Sequence, residues 1–332
     1  MEHDTKTHQK AIIGNVNEDF WLYDSQTGFD LTRPSPPTAA PTAGAITLQT
    51  TTSPVTIDPA KSALVIIDMQ NFFLSTALGR PPDSKGLKAQ EQLLKHAIPA
   101  ARKTGIKIAW LNWGLSDEDL ESFPPAVFRA FGFSTMPADE FNDVYSSPAG
   151  AGPGAGQKPP SSSSASVLCE ENLGKDSRTY KGLGQPLGDV TLSDGRKIPA
   201  GRMLMRDQWN TDLSPPLQES YEASLRTANP DVWLHKNRIT GLYLPASSAG
   251  VWFRDHGIKT LIFAGVNTDQ CVNGTMTDAF AHGYDCIMLR DGCATTSPDG
   301  AQSSVEYNIA RMMGFAVDCE GFGRDVEASL AK

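Results

Sequence analysis

Residues 260–291 read TLIFAGVNTDQCVNGTMTDAFAHGYDCIMLRD. TLIFAGV (260–266) is a short continuous apolar run, the signature of a strand buried on both faces. A tight turn follows. CVNGTMTDAFAHG (271–283) then reads as a helix that stops at Gly283, where a left-handed residue ends it cheaply. DCIMLRD (285–291) is the next strand. The same alternation runs outward in both directions. Upstream lie a strand at SALVIID (62–68), a helix over 87–103, strands at KIAWLNW (107–113) and DVWLHK (231–236), and a helix at SSAGVWFRDHG (247–257). Downstream come a helix over 298–314 and a strand at FAVDC (315–319). Strand and helix alternate throughout, so the class is α/β with a mostly parallel sheet.

In such a sheet, reacting groups collect at the carboxyl ends of the strands. Asp68 ends the first strand, Asn112 and Trp113 the second, and Lys236 the third; Asn267 to Cys271 follow the fourth. A thiol at a helix start faces unpaired N–H groups and the positive end of the helix dipole. With Lys236 beside it, Cys271 is expected to titrate below the free value of about 8.5. Asp68 is placed to accept the thiol proton and return it to a leaving group. Singly these residues are ordinary: an Asp that caps a helix, a solvated Lys, a buried inert Cys. Their convergence on one sheet edge is what points to nucleophilic chemistry.

ALVIIDMQNFF (63–73), HKNRITGL (235–242) and AGVNTDQCVNGTMTDAFAHGYDCIMLRDGCAT (264–295) resemble the isochorismatase-like cysteine hydrolases over residues 62–113 and 231–318. The resemblance implies a three-layer fold, a six-stranded mostly parallel sheet flanked by helices. It implies an Asp68–Lys236–Cys271 triad that hydrolyses small amides or ureides. It also implies a cis peptide between Val266 and Asn267, and the backbone N–H groups of Asn267 and Cys271 as oxyanion donors. KNRITGLY (236–243), the Asn–Trp strand end and EYNIARMMGFAVD (306–318) are most similar to the ureidoacrylate, biuret and carbamoyl amidohydrolases. Gln70, Phe73, Trp113, Leu242 and Tyr243 are candidate walls of the substrate pocket. Nicotinamidases of the superfamily hold a metal with Asp and His after the second strand; here LNWGLSDED (111–119) has no His, so no metal and no cofactor is expected. Two other readings stand beside the amidase: vinyl-ether hydrolysis of isochorismate with Asp68 as acid and Cys271 dispensable, and a vestigial site on a scaffold protein.

Other features bound the reading. Lys and Arg number 29 against 38 Asp and Glu, a net charge of −9, which argues against a general nucleic-acid binder. No apolar run approaches the roughly 20 residues needed to span a bilayer, and MEHDTKTHQK lacks a signal core, so a cytoplasmic protein is expected. The five cysteines contain no CxxC spacing, against a disulfide scaffold. Residues 1–60 read as an extension, partly extended through the Pro-rich TRPSPPTAAPTAG (32–44), with DFWLYD (19–24) docking somewhere. The hydrolase domain is expected over 61–332. An insertion at about 114–230 separates the second and third strands. It includes a low-complexity stretch at 146–166 and a hairpin signal at SDG (193–195), and either covers the site or decorates it. His235 neighbours Lys236 but points to the opposite face. The expected partners are a small-molecule substrate and further copies of the chain, as a dimer or tetramer.

Overall fold

The computed structural model describes residues 7–134, 137–138, 166–167 and 182–331. The N-terminal region is richer in strands than its composition suggests. β1 (Lys10–Asn15), β2 (Asp19–Asp24), β3 (Gly28–Asp30), β4 (Ile46–Gln49) and β5 (Pro54–Ile57) form one sheet, in the order β1-β2-β3-β5-β4. The Pro-rich run at 32–44 carries no strand. DFWLYD is β2 itself, and Trp21 packs on Phe29 and Phe315, so this aromatic docks the extension on the main body, while Ile12, Ile13 and Val16 stay exposed.

β6 (Ser62–Ile67), β7 (Lys107–Trp113), β12 (Val232–Lys236), β13 (Thr260–Val266), β14 (Asp285–Ala294) and β15 (Gly314–Val317) make the central sheet. Its order is β12-β7-β6-β13-β14-β15, and every pairing in it is parallel. In chain order that is 3-2-1-4-5-6, with the topological switch between β6 and β13. The continuous apolar runs take the centre: all residues of β6 and β13 are buried. Two cores follow, one on each sheet face. Ala63, Val65 and Ile67 share one side with Leu111 and Phe263; Leu64 and Ile66 share the other with Trp110 and Ile262. This is the α/β fold the resemblance implies. Between β7 and β12, the described part of the insertion contributes helices Asp117–Ser122, Pro125–Phe131 and Pro215–Ser224. It also contributes the antiparallel pairs β8 (Phe133–Ser134) with β9 (Ser166–Val167), and β10 (Asp189–Thr191) with β11 (Lys197–Pro199) around the SDG turn. The low-complexity stretch up to residue 165, and Cys169, lie outside the described residues.

Several elements differ from their sequence reading. The 87–103 helix runs from Lys85 to Thr104 through a π-helical turn, Leu93–Ala97. That turn comes just before Pro99, whose missing N–H breaks the regular ladder. The strand read over 285–291 does not end at Asp291 but continues to Ala294, and Cys293 is buried in it. A C-terminal helix, Cys319–Leu330, has no counterpart in the sequence reading. Gly321 and Gly323 lower its intrinsic propensity, and packing of the buried Phe322 and Val326 restores it. No helix among the described residues is long and apolar enough to cross a membrane.

Candidate active site

Three strand ends meet at the switch point. Asp68 follows β6 with φ +54°, a left-handed conformation that Asp tolerates at a cost of about 1–2 kcal/mol. The turn aims its carboxylate along the sheet edge: Oδ1 accepts the Trp113 backbone N–H at 3.1 Å, and Oδ2 lies 2.9 Å from Lys236 Nζ. Lys236, the last residue of β12, donates to Cys271 Sγ at 3.4 Å and to the carbonyls of Arg238 and Ile239 at 3.1 and 3.3 Å. Its ammonium lies 4.0 Å from the centre of the Trp113 ring. Cys271 sits in the π-helical turn Thr268–Val272 that follows β13. Gly265 (φ +120°) lets the two strands approach, since a Cβ there would stand 2.0 Å from the Ile67 carbonyl oxygen. The peptide between Val266 and Asn267 is cis.

Asp68, Lys236 and Cys271 are 0%, 4% and 6% exposed, and this burial reverses the expectation for the thiol. Removal from water pushes Cys271 up to about 12; the Lys236 ammonium pulls it down, and the Asp68 carboxylate pushes it up again. Burial likewise raises Asp68, against the pull of Lys236. The helix-start argument therefore fails on sign: desolvation of a buried anion outweighs a dipole end and one cation. The resting site therefore favours a protonated thiol beside Asp68.

A prediction follows from those signs. Asp68→Asn removes a negative charge from the thiol's side while leaving Lys236, so thiolate forms at lower pH. Alkylation of Cys271 by iodoacetamide at about pH 8 is expected to be slower in the wild type than for free cysteine, and several-fold faster in Asp68→Asn. Unchanged or slower labelling in the variant would count against this account of the thiol.

A cavity of about 320 Å³ opens over the sulfur, at the small end of ligand-sized sites. Its described walls include Phe72, Phe73, Arg80, Phe131, Met203 and Ile239, with Asn267, Gln270 and Cys271 at the base and Thr296 and Ser297 at one side. Both groups expected as oxyanion donors, Asn267 and Cys271, thus border the space. Phe131 and Met203 come from the insertion, which therefore forms part of the roof.

The other expected wall residues fall elsewhere. Gln70 is fully buried beneath the site, bridging the carbonyls of Trp113 and Thr211 through Nε2 at 2.8 Å each. Trp113 is fully buried under Lys236. Leu242 is buried and its carbonyl pairs with His282; Tyr243 is exposed beside Arg238. The chain turns away after Ile239, so a position read as continuing toward the pocket leaves it. Ile239 lies in the same HKNRITGL motif and was within reach of sequence reasoning. Arg80, Phe131 and Met203 carry no local signal, because their place depends on how the loops fold back. His235 turns from the site toward Trp233 and Gly114.

The acidic run after β7 does not fit a metal. Asp119 closes a capping box with Ser116, Asp117 pairs with Arg202 at 2.8 Å, and Asp119 also accepts from Asn237. Asp117 and Asp119 are committed to holding the insertion, and among the described residues no cluster of three or more His, Cys, Asp or Glu could hold an ion.

Residues 200–317 match the isochorismatase domain family, and over that span this chain is similar to it. Among individual proteins it is similar to the ureidoacrylate amidohydrolase RutB of Serratia proteamaculans, 25% identical over 294 residues that cover 86% of this chain and 91% of that one. RutB of Agrobacterium fabrum is 23% identical over 283 residues, covering 83% and 95%. Among solved structures, a cysteine hydrolase from Pseudomonas syringae pv. phaseolicola 1448A aligns with a TM-score of 0.49 at 15% identity, covering 82% of this chain and 95% of that one. N-carbamoylsarcosine amidase from Thermoplasma acidophilum aligns at 0.42 and 17%, covering 79% and 96%.

Proposed function

We propose that this chain is a metal-independent cysteine hydrolase that cleaves a C–N bond of a small amide or ureide through a thioester. The observation that carries the reading is the buried contact of Lys236 with both Asp68, at 2.9 Å, and Cys271, at 3.4 Å, under a ligand-sized cavity. The names of the RutB relatives support a ureide-type substrate.

The chemistry follows from the charges. Asp68 takes the thiol proton, leaving a thiolate beside Lys236 and a neutral carboxyl. Sulfur attacks the substrate carbonyl carbon. The oxyanion forms at the Asn267 and Cys271 N–H groups, a contribution of about 3 kcal/mol per donor. Asp68 returns the proton to nitrogen, the C–N bond breaks, and the amine departs from a thioester. Water then gives a proton to Asp68 and its hydroxyl to the thioester carbon. The C–S bond breaks, the acid leaves, and the thiol regains its proton. A raised Asp68 suits both directions of transfer.

A screen of ureides, primary amides and isochorismate for ammonia or acid release tests the reading. Turnover of a ureide or amide is the expected result; turnover of isochorismate alone would replace it with vinyl-ether hydrolysis. Because Asp117 and Asp119 after β7 are occupied, chelation by EDTA is expected to leave turnover unchanged. Loss of activity that zinc or manganese restores would show a metal-dependent reaction.

A further inference from the structure

β12 by itself does not settle where the Lys236 ammonium points. It has three protons and four acceptors: Asp68 Oδ2 at 2.9 Å, Cys271 Sγ at 3.4 Å, and the carbonyls of Arg238 and Ile239 at 3.1 and 3.3 Å. The two carbonyls belong to the loop after β12, so the seat of that loop decides how the ammonium is shared. The loop is fastened to the helix Asn273–Ala281, which continues from the nucleophile's turn. Gly241 N–H donates to Thr275 Oγ1 at 3.2 Å, and that hydroxyl donates its own proton to the Cys271 carbonyl at 2.7 Å. The direction is fixed, because an amide N–H only donates and a carbonyl only accepts. Thr240 Oγ1 donates to Asp278 Oδ2 at 2.6 Å and accepts the Leu242 N–H at 3.0 Å. Thr275 and Asp278 are three residues apart and share one face of the helix. A Thr bonded to the carbonyl four residues back is ordinary in a helix; the N–H arriving from the Lys236 loop is not part of that pattern. Thr275 and Gly241 are both buried, so water does not compete for the bond.

Resting on the cysteine-hydrolase reading, we propose that Thr275 and Asp278 are positioning residues: they hold the loop after Lys236 to the nucleophile's helix and thereby fix the ammonium against the Cys271 sulfur. Neither lines the cavity over the sulfur; each acts through the backbone it holds. The Thr275 hydroxyl joins the two sides directly, since one of its bonds goes to the turn that carries the nucleophile and the other to the loop that carries two of the ammonium's acceptors. When that loop shifts, its carbonyls draw the ammonium with them. The attraction between ammonium and thiolate falls steeply once they separate and water enters between them. The same loop supplies Ile239 to the cavity wall, so one restraint sets both the cation and part of the pocket.

Thr275→Val keeps the shape of the side chain and removes the hydroxyl; Thr275→Ser keeps the hydroxyl. At about pH 9, iodoacetamide labelling of Cys271 is expected to be about fivefold slower in Thr275→Val than in the wild type, because a displaced ammonium forfeits part of its hold on the thiolate. Thr275→Ser should label within about twofold of the wild type. A role in packing alone predicts the reverse for Thr275→Val, since a loosened loop opens the path to the sulfur. Labelling of Thr275→Val at or above the wild-type rate, or a Thr275→Ser variant as slow as Thr275→Val, would overturn the proposal. Should Thr275→Val not fold, the half-buried Asp278 carries the test. Asp278→Ala is expected to label more slowly than the wild type, and Asp278→Asn, which keeps an acceptor for Thr240, to recover; wild-type labelling of Asp278→Ala would equally overturn it. On a turned-over ureide or amide, kcat should follow the labelling rates in the same order. Labelling needs no substrate, so failure of the hydrolysis screen leaves this proposal separately readable.

Discussion

Cys271→Ala is expected to abolish C–N hydrolysis, with a loss on the order of 10⁴- to 10⁶-fold, as when the nucleophile of a covalent route is removed. The fold should persist, because the change deletes one small buried atom. Cys271→Ser should fail almost as fully, since a hydroxyl in the same desolvated position is far harder to ionise than a thiol. Circular dichroism and melting would show both variants folded, and release of ammonia or acid from the best substrate would measure the loss. Turnover by the Ala variant within tenfold of wild type would remove the thioester route. It would leave Asp68 as a general acid, the role that vinyl-ether chemistry requires.

The second large effect concerns stability and lies at the other end of the sheet. Asp285 begins β14 and is almost fully buried. Arg33 Nη1 and Nη2 each donate to it at 2.8 Å, one to either oxygen. Trp21 Nε1 donates at 2.7 Å and Thr260 Oγ1 at 3.0 Å. Arg33 also pairs with Asp19 and bonds the Leu31 carbonyl. One carboxylate thus fastens the N-terminal sheet to the central sheet. Arg33→Ala leaves that carboxylate buried without its cation and should cost about 3–5 kcal/mol. Urea unfolding should show the drop, and proteolysis within residues 10–57 should accelerate. Arg33→Met with Asp285→Asn should lose less than the sum of the single changes, because neither buried charge remains alone. A loss below about 0.5 kcal/mol for Arg33→Ala would reduce the pair to a surface contact.

These two sites divide what is local from what is not. The central strands, the helix after Cys271 and the strand-end positions of Asp68, Lys236 and Cys271 were legible because each depends on neighbours a few residues away. A continuous apolar run makes a buried strand, and parallel connectivity puts its carboxyl end beside the others. The hairpin at 193–195 was legible for the same reason. The strands of residues 10–57 were not, since their sheet is completed by side chains such as Arg33 and Trp21 reaching Asp285 more than 250 residues away. The helix at 319–330 was hidden by glycines that tertiary packing overrides.

Backbone periodicity assigns faces and ends within one element, so the sheet class and the side chains at its reacting edge were readable from residue order. The chemistry of that edge came from contacts across the folded chain. They buried the thiol deeply enough to reverse its expected ionisation, and placed Trp113 beneath Lys236 instead of in the pocket wall. They also carried Leu242 and Tyr243 away while bringing in Arg80, Phe131 and Met203. Desolvation and charge–charge interaction depend on distances across the folded chain, and residue spacing along one strand or helix does not encode those distances.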